Sequence, residues 1–349
     1  MLKKLSLLAI SALALSACND QASSGGAGGS RQEIRIVGSS TVFPFAKAVA
    51  EAFSKANAAN KNPVVESTGT GGGIEAFCAG VGADTPDIAN ASRRMKKSEF
   101  ETCAKNGVTD IVEIQVGIDG LAVASATGGP AWKLTQADIY KAVAANPFGK
   151  PNTTKTWSDV NAALPNLPIA MFGPPKTSGT RDAFAELILE EGCKTDEAVK
   201  AMKKTDEDKY KAICHDVRTD GMYKEQGEND NLIVQKLSSN PNMLGVFGYS
   251  YLEENAEKVT GVALNGVVPS FATIGDGSYP GARPLFIYVK KAHIDKIPGI
   301  KEYLAEFVKA GEKGSYLNKL GMITAPDVIR AAASKAASEL TVMDSANLK

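Results

Sequence analysis

Short apolar runs alternate with amphipathic helical segments along most of this 349-residue chain. After the first run, at residues 33–37, Phe45, Val49 and Phe53 recur at helical spacing behind Pro44, a residue that the first turn of a helix tolerates. Further strand-like runs follow at residues 63–67, 87–91, 110–116, 121–126, 169–172, 244–247 and 284–289. This alternation predicts an α/β fold with mainly parallel sheets.

The N-terminus has the pattern of a lipoprotein export signal. Lys3 and Lys4 precede an apolar run at residues 5–15, which is long enough for the core of a signal peptide but too short to span a bilayer. The run ends in Leu-Ser-Ala-Cys, so we predict a signal peptide over residues 1–17 and a lipid anchor on Cys18. The alternative is an ordinary signal peptide followed by an incidental cysteine.

Composition and length divide the rest of the chain. Residues 18–30 are rich in Ser, Gly and Ala and predict a flexible tether. The remainder is long enough for two domains with hydrophobic cores. Residues 117–120 separate two strand-like runs and indicate a crossing between domains. We therefore expect one lobe from residues 31–118 and 269–349, and a second lobe from residues 119–268.

The charge balance excludes one class of partner. Lys plus Arg and Asp plus Glu each number 39, so the formal net charge is zero, and no basic block stands out. These features argue against a nucleic-acid partner. No second apolar stretch approaches the length of a transmembrane helix. We therefore expect a protein of the periplasm or cell surface, anchored through Cys18.

Four further cysteines, Cys78, Cys103, Cys193 and Cys214, indicate disulfides, because an even number in an exported protein is usually paired. Four cysteines allow three pairings, and we predict the two local ones, Cys78–Cys103 and Cys193–Cys214. A zinc site is the competing interpretation. It is disfavoured because the chain has no Cys-x-x-Cys pair and only two histidines, so we expect no metal.

Three loops share one composition, with Gly beside Ser or Thr directly before a predicted helix. They lie at residues 38–41, 69–73 and 177–180. Glycine lets the backbone approach a ligand, and a helix N-terminus offers unpaired N–H groups and a positive partial charge. Ser and Thr are also ordinary N-caps, so each loop alone is weak, but three together predict an anion site. The second loop lacks the Gly-Lys-Ser/Thr ending of an ATP-binding P-loop.

Two arginines could reach such a site. Arg93 follows Ser92 at the end of the strand-like run 87–91, where a guanidinium can give two parallel hydrogen bonds to an oxyanion. Arg181, directly after the third loop, is a second candidate that could instead face solvent. The neighbouring Arg94 is better interpreted as a surface residue.

The motifs that carry a family resemblance occur in one order along nearly all of the chain after the tether. They lie at residues 38–44, 69–73, 87–93, 177–181, 228–235 and 283–289. This ordered set resembles the phosphate-binding proteins of Pst-type transporters. The resemblance implies a two-lobed type II periplasmic-binding-protein fold that closes on inorganic phosphate. It also implies delivery to an ABC transporter permease in the inner membrane, without a cofactor, by a protein that we expect to be a monomer.

Carried over position by position, the resemblance implies phosphate contacts from all three loops. These residues are Ser40, Thr41 and Val42, then Thr70, Gly71 and Gly72, and, from the other lobe, Ser178, Gly179 and Thr180.

The chain departs from the family pattern at two positions. Many members have Asp where this chain has Arg93, and Arg where it has Pro174-Pro175-Lys176. We expect Arg93, beside Ser92, to replace the missing arginine. Asp119 is then the candidate acceptor of the phosphate proton, although it could also pair with Arg93 without touching the ligand.

Two other classes of function compete with phosphate capture. A secreted phosphate-ester hydrolase would need a base beside a nucleophile, and the chain has no Gly-x-Ser-x-Gly motif and no histidine in these loops, so we expect no enzymatic activity. A binder of sulfate, molybdate or a phosphonate would use the same kind of anion site, and only the resemblance selects phosphate.

Overall fold

The computed structural model describes residues 31–176, 178–226 and 230–348. The predicted signal peptide, Cys18 and the tether at 18–30 lie outside the described residues. Within the described ranges, no helix combines the length and the apolar character needed to cross a membrane.

Eleven strands are present in these ranges. They are β1 (Arg35–Gly38), β2 (Val64–Ser67), β3 (Ile88–Ala91), β4 (Ile111–Ala126), β5 (Lys133–Leu134), β6 (Met171–Gly173), β7 (Tyr223–Glu225), β8 (Leu244–Gly248), β9 (Val259–Gly261), β10 (Ala263–Leu264) and β11 (Ala282–Lys290). The main sheet has the order β2-β1-β3-β11-β4-β8-β6-β7, with β9 also paired to β4, and β5 pairs with β10 separately.

Helices connect most of these strands. They are α1 (Phe43–Ala56), α2 (Gly69–Phe77), α3 (Lys97–Lys105), α4 (Gln136–Val143), α5 (Trp157–Val160), α6 (Gly179–Phe184), α7 (Glu190–Cys193), α8 (Glu197–Met202), α9 (Glu207–His215), α10 (Asn231–Ser238), α11 (Tyr249–Glu254), α12 (Phe271–Gly275), α13 (Lys291–Ile294), α14 (Ile300–Ala310), α15 (Tyr316–Lys319) and α16 (Asp327–Glu339). A π-helical segment, Ala185–Leu189, joins α6 to α7, and a short 3-10 turn spans Pro147–Gly149.

Strand β4 joins the two halves of the sheet. The sequence suggested two strands here, but the structure has one strand of 16 residues. Residues 111–120 pair with β11, and residues 121–126 pair with β8 and β9. Pairing is parallel among β1, β2 and β3 and among β6, β7 and β8, and antiparallel along β4 and β11. The α/β, two-lobed architecture is therefore confirmed, with the antiparallel strands passing between the lobes.

Separate cores support the two halves. In the first half, Phe53 of α1 packs edge-to-face on Tyr303 of α14 with 6.0 Å between ring centroids, and Phe307 continues the stack. In the second half, Trp132 and Trp157 pack at 5.4 Å within a larger buried cluster. Each fully buried aromatic or aliphatic side chain contributes roughly 1.5–3 kcal/mol by leaving water.

Both predicted disulfides are confirmed. Cys78–Cys103 links the end of α2 to α3, and Cys193–Cys214 links α7 to α9. Each bond closes a short loop, with its cysteines 25 and 21 residues apart in sequence, and joins neighbouring helices.

Candidate functional site

The carboxyl ends of three parallel strands lie side by side in the first lobe. Strand β1 runs between β2 and β3, and Gly38 at its end is in register with Ser67 and Asn90. The loops that follow these strands therefore leave the same edge of the sheet, which is where open α/β sheets bind ligands.

Two glycines bring the first two loops into backbone contact. Gly38 has a φ of 132°, which L residues rarely adopt, and a Cβ there would lie 2.2 Å from the carbonyl oxygen of Asn90. A Cβ on Gly73 would lie 2.3 Å from the Gly38 Cα. Only glycine allows this packing. The glycine-rich segment is accordingly the first part of α2 rather than a loop before it, so its N–H groups lie at a helix N-terminus.

The third loop belongs to the second lobe and leads into α6. The Oγ of Ser178 accepts a hydrogen bond from the backbone N–H of Thr180 at 3.2 Å, which makes Ser178 the N-cap of this helix. The helix continues through the π-helical segment into α7, so the unpaired N–H groups stand at the start of a longer helical rod.

A cleft of about 630 Å³ lies between the lobes. Its lining includes Ser40 and Thr41 from the first loop, and Ser178, Gly179 and Thr180 from the third. Asp119 lies between them on β4, next to Gly120, where the strand passes from one half of the sheet to the other. The structure thus brings six of the predicted residues around one cavity.

The other predicted residues are not part of the cavity lining. Val42 is buried, directly before α1. Thr70 and Ser92 bind each other, with 3.1 Å between their hydroxyl oxygens, and the Ser92 N–H donates to the Thr70 hydroxyl at 3.2 Å. Gly71 and Gly72 follow Thr70 in the first turn of α2. The second loop and the end of β3 are therefore held together.

The guanidinium of Arg93 forms a bidentate pair with Glu99 of α3, at 2.9 and 2.6 Å. Glu99 also accepts the N–H of Lys96 at the start of that helix. Burial by itself would raise the pKa of Glu99, but the hydrogen bonds from Arg93 and from the Lys96 backbone outweigh it and lower that pKa. In this structure the Arg93 charge is thus satisfied by Glu99, outside the cleft lining.

A different arginine, Arg283 of β11, is bonded to two residues of the cleft lining, Asp119 and Thr41. Its Nε donates to Asp119 Oδ2 at 3.1 Å and its Nη2 to Thr41 Oγ1 at 2.6 Å, while Nη1 pairs with Glu186. The residue is only 8% exposed. Sequence reasoning gave it no role, although it opens the Arg-Pro-Leu motif used for the resemblance. The sequence feature that could have identified Arg283 is a charged residue at the start of an otherwise apolar strand.

Three carboxylates surround this buried cation. Burial raises the pKa of Asp119, and the pairing with Arg283 opposes that rise. Burial and the nearby charge of Glu186 raise the pKa of Asp182. Burial would lower the pKa of Arg283, but Asp119 and Glu186 outweigh it and raise that pKa. The guanidinium therefore stays charged and pairs with two of these carboxylates, Asp119 and Glu186.

Arg181 lies behind the third loop and is 5% exposed, rather than facing solvent. Its guanidinium packs over the Tyr223 ring at 4.7 Å and donates to the Pro174 carbonyl at 3.3 Å. The Tyr223 hydroxyl donates to the same carbonyl at 3.1 Å. Glu225 forms an ion pair with the same guanidinium at 3.3 Å. This group supports the backbone that leads into the loop.

A sequence model described as a PBP superfamily domain matches residues 22–310. The chain belongs to the PBP superfamily. Among curated relatives of this PBP-superfamily chain, the Protein SphX of Synechococcus elongatus is 38% identical over 270 residues, covering 74% of this chain and 69% of the relative. The phosphate-binding protein PstS of Staphylococcus saprophyticus is 29% identical over 302 residues, covering 84% and 81%.

Two solved structures have a fold similar to that of this chain. A possible phosphate binding protein from Planctomyces limnophilus superposes with a TM-score of 0.70 at 32% identity, covering 88% of this chain and 98% of that one. PstS from Borrelia burgdorferi superposes with a TM-score of 0.56 at 18% identity, covering 85% and 100%. The second similarity concerns the fold alone.

The two histidines of this PBP-superfamily protein lie outside the cleft lining. His215 pairs with Glu190 at 2.8 Å beside the Cys193–Cys214 disulfide, and His293 pairs with the buried Asp87 at 2.6 Å. Within the described ranges, no group of three His, Cys, Asp or Glu side chains is arranged to hold a metal ion.

Proposed function

We propose that this protein captures inorganic phosphate in the cleft between its lobes and delivers it to an ABC-type importer. The observation that carries the proposal is the meeting of two Ser/Thr-rich helix starts, around Thr41 and Ser178, over the buried Arg283–Asp119 pair. Relatives named as phosphate-binding proteins, such as PstS of Staphylococcus saprophyticus, support phosphate as the ligand.

The proposed contacts come from both lobes. Hydroxyls and backbone N–H groups around Ser40, Thr41 and Val42 face those of Ser178, Gly179 and Thr180, and replace the water around the anion. Thr70, Gly71, Gly72 and Ser92 complete the first-lobe side. Arg93 remains a predicted contact, and it would have to exchange Glu99 for the anion.

Asp119 gives the site a basis for preferring phosphate. Phosphate retains a proton near neutral pH and can donate it in a hydrogen bond to a carboxylate, whereas sulfate has none to donate. Sulfate would therefore meet Asp119 as a like charge in a poorly hydrated site. In this structure the carboxylate is oriented by Arg283.

Binding couples to closure of the lobes, which we propose comprise residues 31–118 with 269–349 and residues 119–268. Phosphate stabilises the closed state because only there does it contact both lobes. The protein acts as a non-enzymatic monomer outside the cytoplasm, anchored by a lipid on Cys18, and presents phosphate to a permease in the inner membrane.

Isothermal titration calorimetry with phosphate, sulfate, molybdate and a phosphonate tests this function. We expect phosphate to bind at least about a hundredfold more tightly than sulfate, the range that an unpaired or repelled buried group can produce. Tighter binding of another oxyanion would show that this anion, rather than phosphate, is the ligand. Turnover of a phosphate monoester, abolished in a Ser178→Ala variant, would instead support the hydrolase alternative.

A further inference from the structure

We infer that Glu186 is an internal anion that occupies Arg283 in the absence of phosphate and is displaced when phosphate binds. The inference rests on the proposed function. It assigns Arg283 as a charged ligand for phosphate and Glu186 as the residue that limits affinity and promotes release.

Arg283 has hydrogen-bonding capacity left for an anion. A guanidinium has five N–H donors. In the described structure, three of them point at Asp119, Thr41 and Glu186. Two of these partners, Thr41 and Asp119, also line the cleft. An oxyanion seated against them is therefore within reach of the same guanidinium, and the face now used by Glu186 would suit a bidentate phosphate contact.

Glu186 can leave this position more easily than Asp119. Asp119 is directly opposite Arg283 in the β4–β11 ladder, so its backbone position is fixed by the sheet. Glu186 reaches across from the second lobe, and its side chain is 44% exposed. It also belongs to the π-helical segment Ala185–Leu189, and such segments occur frequently at functional sites. Rotation of its side chain places the carboxylate in water.

The balance of charges around Arg283 favours such a movement. Arg283 is the one cation in the described contacts that joins Asp119, Thr41 and Glu186, while Asp182 adds a further nearby carboxylate. A phosphate anion placed beside these groups would experience like-charge repulsion in a poorly hydrated space. Releasing Glu186 removes one negative charge and frees Arg283 for the ligand.

The exchange of phosphate for Glu186 on Arg283 would also help to release phosphate to the permease. Glu186 bridges the second lobe to an arginine on the strand that returns to the first lobe. When the lobes open and phosphate leaves, Glu186 can pair with Arg283 again, so the Nη1 donor that the anion vacates regains a partner. The competing carboxylate therefore lowers affinity and raises the rate of phosphate release.

The test compares Glu186→Gln and Glu186→Ala with the wild type by phosphate calorimetry and by stopped-flow measurement of release. Glu191→Gln is the matched control, because it removes a carboxylate from the same helical rod, 48% exposed and paired with Lys194 rather than Arg283. We expect both Glu186 variants to bind phosphate about tenfold more tightly, with slower release, the effect of one charge-assisted competing bond. Glu191→Gln should match the wild type.

The Arg283→Gln background tests whether Glu186 acts through Arg283. In that background, Glu186→Gln should tighten phosphate binding by less than about twofold. The effects of substitutions at two contacting residues depend on each other, whereas those at independent residues add. If circular dichroism shows that the Arg283→Gln variant is unfolded, the comparison of the Glu186 variants with Glu191→Gln tests the inference by itself. Unchanged or weaker binding in the Glu186 variants overturns the inference, as does equal tightening in Glu191→Gln. A wild type that does not bind phosphate overturns the proposed function instead.

Discussion

Arg283 and Asp119 lie opposite each other on the two antiparallel strands that pass between the lobes, and the Arg283 Nε donates to Asp119 Oδ2 at 3.1 Å. The two residues are 164 positions apart in sequence, and Asp119 lines the cleft. A charged pair at this point can respond both to the ligand and to the relative position of the lobes, because each residue lies on a connecting strand.

Asp119→Asn should reduce the preference for phosphate over sulfate by at least about tenfold, because the amide keeps the shape of the carboxylate without its charge. Calorimetric titration of both anions measures the ratio. Asp182→Asn is the control, since it also removes a negative charge near Arg283 but is not in the cleft lining. An unchanged phosphate-to-sulfate ratio in Asp119→Asn would show that another group accepts the proton.

Arg181→Ala should weaken phosphate binding about tenfold without removing a ligand contact. The change deletes the hydrogen bond to Pro174 and the packing on Tyr223, so the loop that starts at Ser178 is no longer held in one position. Lys224→Ala, an exposed change on the neighbouring strand, should leave the dissociation constant unchanged. Wild-type affinity in Arg181→Ala would mean that the loop keeps its position without this support.

Glu190→Gln should lower the free energy of unfolding by about 2 kcal/mol at neutral pH. Burial would raise the pKa of Glu190, but hydrogen bonds from His215, Lys203 and Lys194 outweigh it and hold that pKa well below its ordinary value of 4.5. Because the unfolded chain takes up the proton first on acidification, this stabilisation is complete above the unfolded pKa and is lost as pH falls toward the folded one.

Urea unfolding of Glu190→Gln and wild type should therefore show a stability difference that narrows between about pH 5 and about pH 3. Glu191→Gln, whose exposed pair with Lys194 contributes at most about 1 kcal/mol, serves as the control. A difference that stays constant over this pH range would rule out the ionised carboxylate as its cause.

Replacing Cys193 and Cys214 together by Ser should lower the free energy of unfolding by about 3 kcal/mol, as expected for a loop of this size in the chain-entropy picture. Phosphate affinity should stay within about twofold of wild type, because the bond lies away from the cleft lining. Denaturant unfolding and calorimetry check the two parts separately. A large loss of affinity at unchanged stability would contradict this assignment.

The sequence was most informative where local chemistry determines local structure. Gly beside Ser or Thr correctly indicated three helix N-termini, although α2 and α6 begin inside the predicted loops, at Gly69 and Gly179, and cysteine spacing gave both disulfides. These features depend on residues close together in the chain. The alternation of strands and helices likewise predicted the class of fold, because hydrophobic periodicity follows from which face of an element is buried.

Long-range pairing could not be predicted in the same way. Arg93 was expected at the site from its place after β3, but Glu99, at the start of α3, offers it a bidentate carboxylate six residues away. Arg283, in contrast, was not expected at the site, because its partners Thr41, Asp119 and Glu186 come from three distant segments of the chain. Choosing between two arginines requires knowing which carboxylates the fold places beside each.

An anomalous difference map from crystals grown with arsenate, an isosteric substitute for phosphate, would locate the bound anion. We predict one arsenic peak between the lobes, with its oxygens about 3 Å from donors of the loops at Thr41 and Ser178 and from the Arg283 guanidinium. Growth with excess phosphate should abolish the peak. A peak at another surface, or an empty cleft in crystals that contain arsenate elsewhere, would contradict phosphate capture between the lobes.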